Sequence, residues 1–428
     1  MAVTDAAEVV VIGAGGGGAV LGLALARKGI RTLVLEQAPG PPAGLRGEIL
    51  QPNGQQILDR LGVLGKLPAE ATRTVRYFHF LKPGGRRLCT VDYGMLPPPY
   101  NRAIVTLPNA AHHAVLHELE QAAPGRLWYR TTFKDLLREG RRVTGVEVER
   151  AGEVARISAK LVVGADGAFS KVRESFGVPA RLHRYPDGYL IAILDSPDGL
   201  DEGRYFVGRR IILGLFPAAG GKVYLFYMIP AGSMEAVQEE GIAALQERWS
   251  RIDPSLEKTF RTLADWGQTA YMPTARVTTE RWVGDGAALI GDAAHAMNPH
   301  ASQGRMQAMA DAVALADVAE SCREQSDWSA AALAPYERRR RPQVEMLQRM
   351  ADEQVLFWNT GNPVLALLRN RVFRTLDRNV RLRYRVLTAT AGLRTEPPFG
   401  PLDRLMAAGL LPDPLANRLP PGASREGW

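Results

Sequence analysis

"EVVVIGAGGGGAVLGLALARKGIRTLVLE", residues 8–36, decides how this chain folds. Residues 8–13 are a β-branched apolar run closed by glycine, residues 18–29 read as a helix with small residues toward the strand, and "IRTLVLE" reads as a second strand. A strand, turn, helix and strand in so short a span give a βαβ unit with parallel strands and a right-handed crossover. Gly13, Gly15 and Gly18 occupy the positions of a G-x-G-x-x-G turn. The first permits the tight turn, the second lets backbone approach a pyrophosphate, and the third lets the helix close on the strand. The amides at the helix start suit phosphate, and Glu36 at the end of the second strand suits the hydroxyls of an adenosine ribose.

The rest of the composition fits this beginning. A chain of 428 residues calls for two or three subdomains, and 46% hydrophobic with 23% charged residues is the balance of a soluble globular protein. Cys89 and Cys322 cannot form a disulfide framework, so a reducing, cytoplasmic setting is expected. No basic segment precedes the first apolar run, which reads as a strand rather than a signal peptide. No window approaches the roughly 18 uninterrupted apolar residues of a spanning helix. The net charge of +8 favours anionic partners: a phosphate-bearing cofactor, anionic lipid or nucleic acid. The densest basic run, Arg338–Arg341 beside Pro342, reads as a solvated helix end. It lacks the interleaved aromatics of a single-strand binder, so no nucleic-acid partner is expected.

Two further glycine-centred motifs follow. In "GADGAFSKVRESFG", residues 164–177, Asp166 follows the strand "KLVVGA", with Ser170 and Arg173 where a helix should begin. Taken alone, this is equally the pattern of an Asp-Gly turn before a capped helix. In "GDAAHAMNPHASQGRMQAMADA", residues 291–312, Asp292 can accept hydrogen bonds from a polyol, Pro299 stiffens the loop, and Gly304 lets it turn close to a flat ligand. A helix beginning near Arg305 would aim its positive end at that ligand. His295 and His300 lie five apart in a loop, without a second carboxylate-rich cluster, and His113 and His117 sit in an ordinary helix; no metal site is expected. G-x-S-x-G is absent, which removes a nucleophile-elbow hydrolase. Between these motifs, "IILGLFPAAGGKVYLFYMIP" at 211–230 reads as two aromatic-rich antiparallel strands about a Gly-Gly turn. The central strands carry Tyr205, Phe206, Phe216, Tyr224, Phe226 and Tyr227, and about half of these should face one surface of the sheet, making Tyr205, Phe216, Tyr224 and Phe226 candidates for an apolar pocket, with core packing claiming others.

These motifs, in this order, resemble those of the flavin-dependent class A monooxygenases, the para-hydroxybenzoate hydroxylase family, over roughly residues 7–345. "GLRGEILQPNGQQILDRLGV" at 44–63 adds a fourth match, and "GEILQPNG" also looks like squalene epoxidases. The resemblance implies an α/β fold: a Rossmann-like FAD-binding domain, an antiparallel-sheet substrate domain and a helical C-terminal region. Residues 1–75, 101–180 and 281–345 would form the first, 76–100 and 181–280 the second, and 346–428 the third. It also implies that Gly13, Gly15, Gly18 and Glu36 hold the adenosine diphosphate half of FAD, that Asp166 serves FAD and reduced nicotinamide binding, and that Asp292 holds the ribityl chain. Pro299, Ser302, Gln303 and Gly304 would border the flavin ring, and Arg46 would reach the flavin and the substrate, so that Arg46 and Pro299 stand nearest the chemistry. Three departures from the family pattern stand out: Ser302 for glycine, Met306 for asparagine, and Asn109 where arginine or glutamine is usual.

By this resemblance the activity is NAD(P)H- and O2-dependent monooxygenation through a flavin hydroperoxide. The substrate would be a hydrophobic aromatic, quinone-like or prenylated small molecule of secondary metabolism. The alternative is a flavin-dependent reductase or other non-oxygenase flavoprotein acting on a prenyl or polyene substrate. The arginine-rich apolar segment from 355 to 393 either packs on the body, builds a dimer contact, or lies at an anionic membrane surface. Monomer and homodimer both remain open.

Overall fold

The computed structural model describes residues 7–45 and 48–423. The strand Val9–Ile12 lies inside a six-stranded sheet, flanked by Thr32–Leu35 and Leu161–Gly164, both parallel to it. Leu127–Trp128 continues the sheet on one side. Ala287–Leu289 and then Val283–Gly284 continue it on the other, the last strand alone being antiparallel. Strands covered on both faces must be apolar throughout, which is why VVVI, TLVL and LVVG show no alternation. The helix Gly16–Arg27 begins two residues before the expected Gly18, because Gly16 and Gly17 take helical geometry without contributing an apolar signal. Parallel strands bring their carboxyl ends to one edge. Gly13, Asp166 and Asp292 each follow such an end, so three motifs distant in sequence meet at the edge where α/β sheets bind ligands.

The second sheet has seven strands, in the order Thr269–Met272, Asp187–Asp195, Lys222–Pro230, Ile212–Ala218, Gly203–Val207, Tyr77–Leu81 and Arg87–Asp92. The hairpin about Gly220 and Gly221 forms as expected, both residues having positive φ. The sheet is mixed, not wholly antiparallel, because Tyr77–Leu81 enters from an earlier part of the chain and pairs parallel with Gly203–Val207. Alternate side chains separate two cores. Leu190, Leu213 and Leu225 pack on the helices carrying Trp249 and Phe260, while Tyr189, Ile191 and Phe216 face the C-terminal helices.

Those helices are Pro363–Arg378 and Val380–Thr390, preceded by Gly304–Gln325 and Ala330–Trp358. Ala330–Trp358 passes without a break through residue 345, where the sequence suggests a division. The C-terminal segment does pack on the body, burying Phe373, Leu382 and Leu387, but it leaves Val364 and Leu367 exposed. Among the described residues no helix is long and apolar enough to cross a membrane.

The reading of Arg338–Arg341 as a solvated helix end requires correction. The run lies inside Ala330–Trp358, and although Arg338 and Arg339 are exposed, Arg340 is buried. Its Nε donates to Asp311 Oδ1 at 2.9 Å, and the other carboxylate oxygen accepts from the Gly291 amide at 2.9 Å and meets His295 Nε2 at 2.5 Å. Burial alone would raise the Asp311 carboxyl, but His295, Arg340 and the Gly291 amide outweigh it and hold it below the usual range. The native pKa is depressed, so this contribution is present above about pH 4, the unfolded value, and is lost as pH falls through the native one. Removing one member of such a cluster strands a buried charge. Asp311→Ala is therefore expected to lower unfolding free energy by about 3–5 kcal/mol in urea titrations at pH 7, and by less near pH 3.

Candidate active site

The glycine turn is fixed by close approach. Gly13 has φ +99°, and a Cβ there would stand 2.5 Å from the Ala165 carbonyl oxygen; at Gly18 it would stand 1.9 Å from that of Gly13. Gly15 and Gly304 differ, for a Cβ built on either meets no atom of the described residues within 4 Å. Each borders the start of a helix, Gly16–Arg27 or Gly304–Gln325, whose first amides have no side-chain cap. Uncapped helix starts beside open backbone form a cradle for a phosphate or another anion. Glu36 is held at the strand end by the amides of Ala14, at 2.8 Å, and Ala38, at 2.9 Å.

Asp166 follows the local alternative read from sequence. Its carboxylate accepts from Ser170 Oγ at 2.5 Å and from the Val172 amide at 3.1 Å, and so fastens the start of helix Lys171–Ser175. Arg173 then joins the second motif to the third, donating to the carbonyls of Ala293 at 2.8 Å and Ala168 at 2.9 Å. Asp292 is exposed at the head of the short helix Asp292–His295. Arg46 lies outside the described residues.

Pro299 opens a 3-10 turn ending at Ser302, whose φ of +51° is left-handed and whose amide donates to the Pro299 carbonyl at 2.8 Å. Serine keeps the shape that glycine would take, at a cost on the order of 1 kcal/mol. Gln303 does not present its side chain to a ligand. It is fully buried, with Oε1 accepting from Asn53 at 3.0 Å and Gln307 at 2.8 Å, and Nε2 donating to the Thr390 carbonyl at 2.6 Å. Arg340 donates to Gln307 in turn, so the ion cluster and the loop form one network. Met306 packs over the backbone of Gly54, where a Cβ would lie 2.1 Å from its sulfur. Asn109, also left-handed, ties its helix to the Gly44 carbonyl at 2.6 Å.

Beyond this loop lies an apolar cavity of about 370 Å³ between the seven-stranded sheet and the C-terminal helices. Tyr205 and Phe216 line it, together with Ser302 and His300 from the loop. Tyr224 and Phe226 do not line it; they stand behind Phe216, at ring distances of 6.3 and 5.6 Å, as packing. Sequence reasoning missed the opposite wall. Trp358 is its centre, 5.4 Å from Phe80, 5.3 Å from Tyr205 and 5.1 Å from His300. Met350, Gln354 and Trp358 form one helical stripe, and Arg369, Phe373 and Leu376 another. Both spacings are present in the sequence; Arg371 and Arg374 disguise the second, and nothing local tells which surface the first would face.

His300 is held from both ring nitrogens. Tyr205 Oη lies 2.9 Å from Nδ1, and Asn359 Oδ1 lies 2.9 Å from Nε2. Asn359 Nδ2 donates to Asp187 Oδ2 at 3.1 Å. A carboxylate only accepts, so Asn359 turns its NH2 to Asp187 and its carbonyl to His300; Nε2 then carries the proton, and Tyr205 donates to Nδ1. Burial pushes the imidazole down to about 4, with the Asn359 bond acting weakly against it. The native pKa is depressed, so stability is full above the unfolded value near 6.5 and falls with pH down to the native value, by about 3 kcal/mol in all. His300→Gln is expected to flatten the slope of unfolding free energy between pH 6.5 and 4 by about one proton.

The chain matches the FAD binding domain family over residues 6–351, and it belongs to that family. It is 32% identical over 350 residues to 6-methylpretetramide 4-monooxygenase of Streptomyces rimosus, covering 80% of this chain and 82% of that protein. It is 27% identical over 408 residues to 3-demethoxyubiquinol 3-hydroxylase of Escherichia coli, covering 90% and 98%. The crystal structure of p-nitrophenol 4-monooxygenase from Pseudomonas putida shares the fold with a TM-score of 0.79, over 91% of this chain and 98% of that one, at 20% identity. The protein is an FAD-dependent monooxygenase. The open backbone at Gly15 and Gly304 and the two uncapped helix starts fit that cofactor. Gly15→Val, at an ordinary φ of −66° with no atom in the way, is expected to keep the native circular dichroism but purify without the flavin absorbance band.

Proposed function

We propose that this protein hydroxylates the ring of a polycyclic, hydrophobic aromatic compound of secondary metabolism, using O2 and NAD(P)H. The observation that supports it is the aromatic cavity of about 370 Å³, which meets the flavin-binding loop at Ser302 and His300. Its size and lining suit fused rings. The name of the Streptomyces rimosus relative points to a similar reaction class.

When bound, FAD supplies the redox centre and activates oxygen. The work of the chain is placement. Gly13, Gly15 and Gly18 together with Glu36 hold the adenosine diphosphate half, Asp292 the ribityl chain, and the turn from Pro299 to Gly304 the edge of the ring system. The start of helix Gly304–Gln325 directs its positive end to negative charge on that side. Tyr205, Phe216 and Trp358 exclude water and set the plane of the substrate. His300, kept neutral, spends both nitrogens on protein partners and so fixes Tyr205 in the cavity wall.

The test is oxidation of NAD(P)H by the purified yellow protein, followed with and without oxygen in the presence of polycyclic hydroxyaromatics. Consumption should need oxygen, rise at least about tenfold with an accepted ring, and yield a product heavier by one oxygen atom. Turnover indifferent to oxygen would support the reductase alternative instead.

A further inference from the structure

Two polar side chains line the apolar cavity from different helices, Gln354 from Ala330–Trp358 and Arg383 from Val380–Thr390. Arg383 lines the cavity, yet among the described residues only its Nη1 has a partner, donating to the Asp377 carbonyl at 2.6 Å. Among the described residues no carboxylate lies within ion-pair distance of it, and its buried Nε has no hydrogen-bond partner. Gln354, on the helix Ala330–Trp358, also lines the cavity, and its buried Oε1 likewise has no partner among the described residues.

The other lining arginines differ. Arg404 pairs with Glu353 at 2.7 Å, and Arg369 donates to the carbonyls of Gly208, at 2.8 Å, and Trp358, at 3.1 Å. Arg383 as a whole is half-buried, so the cost falls on the enclosed Nε, a buried polar group without a partner costing about 1–3 kcal/mol.

We propose that Arg383 and Gln354 form the polar recognition site for the substrate: Arg383 for a ketone or ionised phenolic oxygen, and Gln354 for a hydroxyl donor on the same ring system. This rests on the ring-hydroxylase reading above and narrows it to fused aromatic rings that already carry oxygen. An arginine suits such a group, because its planar donors match a ketone and a neighbouring phenolate together. Hydrocarbon rings of the same shape would fill the cavity but leave both side chains unmatched.

The experiment uses the FAD-loaded protein and two probes, 1,2-dihydroxyanthraquinone and anthracene, with binding read by quenching of tryptophan fluorescence. The wild type is expected to prefer the dihydroxyanthraquinone by about tenfold or more. Arg383→Met should remove most of that preference and leave anthracene binding within about twofold; Gln354→Leu should remove part of it. Equal affinities in the wild type overturn the assignment, and so does an Arg383→Met protein that keeps the preference or weakens both probes alike. Arg383→Lys, which retains charge and most of the volume, provides the comparison if the methionine variant does not fold; parity with the wild type overturns the paired-donor match. FAD content is measured separately from the absorbance of each protein. A wild type that holds no flavin defeats the oxygenase reading, whereas lost discrimination in a flavin-loaded protein defeats only the roles of Arg383 and Gln354.

Discussion

The bond from Arg340 to Asp311 is the contact on which the rest of the site depends. Asp311 holds the amide that opens the Asp292 motif, and Arg340 continues through Gln307 to Gln303, Asn53 and the main chain at Thr390. Four segments far apart in sequence are thereby fixed to one carboxylate. Buried ion pairs add little net stability compared with apolar packing of the same volume. What this one supplies is position. A loop that carries a left-handed serine would otherwise relax, and here Gln303, Gln307 and Asp311 beside it are each tied to fixed partners.

A second constraint is spatial. The parallel sheet gathers its motifs at one edge, and the seven-stranded sheet turns its aromatic face toward the same loop. The turn from Pro299 to Gly304 and the cavity therefore share a border at Ser302 and His300. On the side of the glycine turns the surface is backbone amides and small residues, which leaves the main chain open. On the cavity side they are rings and long helical side chains, because an apolar guest needs surface and exclusion of water.

Much of the fold was legible in the amino-acid sequence for local reasons. A doubly covered strand must be apolar at every position, and the glycine pattern at 13–18 leaves few other turns open to it. The Gly-Gly hairpin and the helix from Gly304 follow from equally local signals. What escaped was non-local. Arg340 looks like its exposed neighbours Arg338 and Arg339 until Asp311, on another helix, is placed beside it. Gln303 lies in a motif that suggests ligand contact, but helix packing turns it inward. Tyr224 and Phe226 occupy the expected sheet yet stand in a second layer, a distinction that strand alternation does not make. Trp358 was hidden because its stripe of Met350, Gln354 and Trp358 has only ordinary helical spacing, and the sheet it faces comes from distant parts of the chain.

The family match ends at residue 351, while much of the cavity wall comes from residues 350–408. Gln303 and Gln343 fasten that wall to the loop through the carbonyls of Thr390, Gly392 and Arg394. Main-chain oxygens are the same whatever residue bears them. The attachment is thus blind to the identity of the side chains it carries, and inherited change in those helices can redraw the shape of the guest while the redox machinery stays in register.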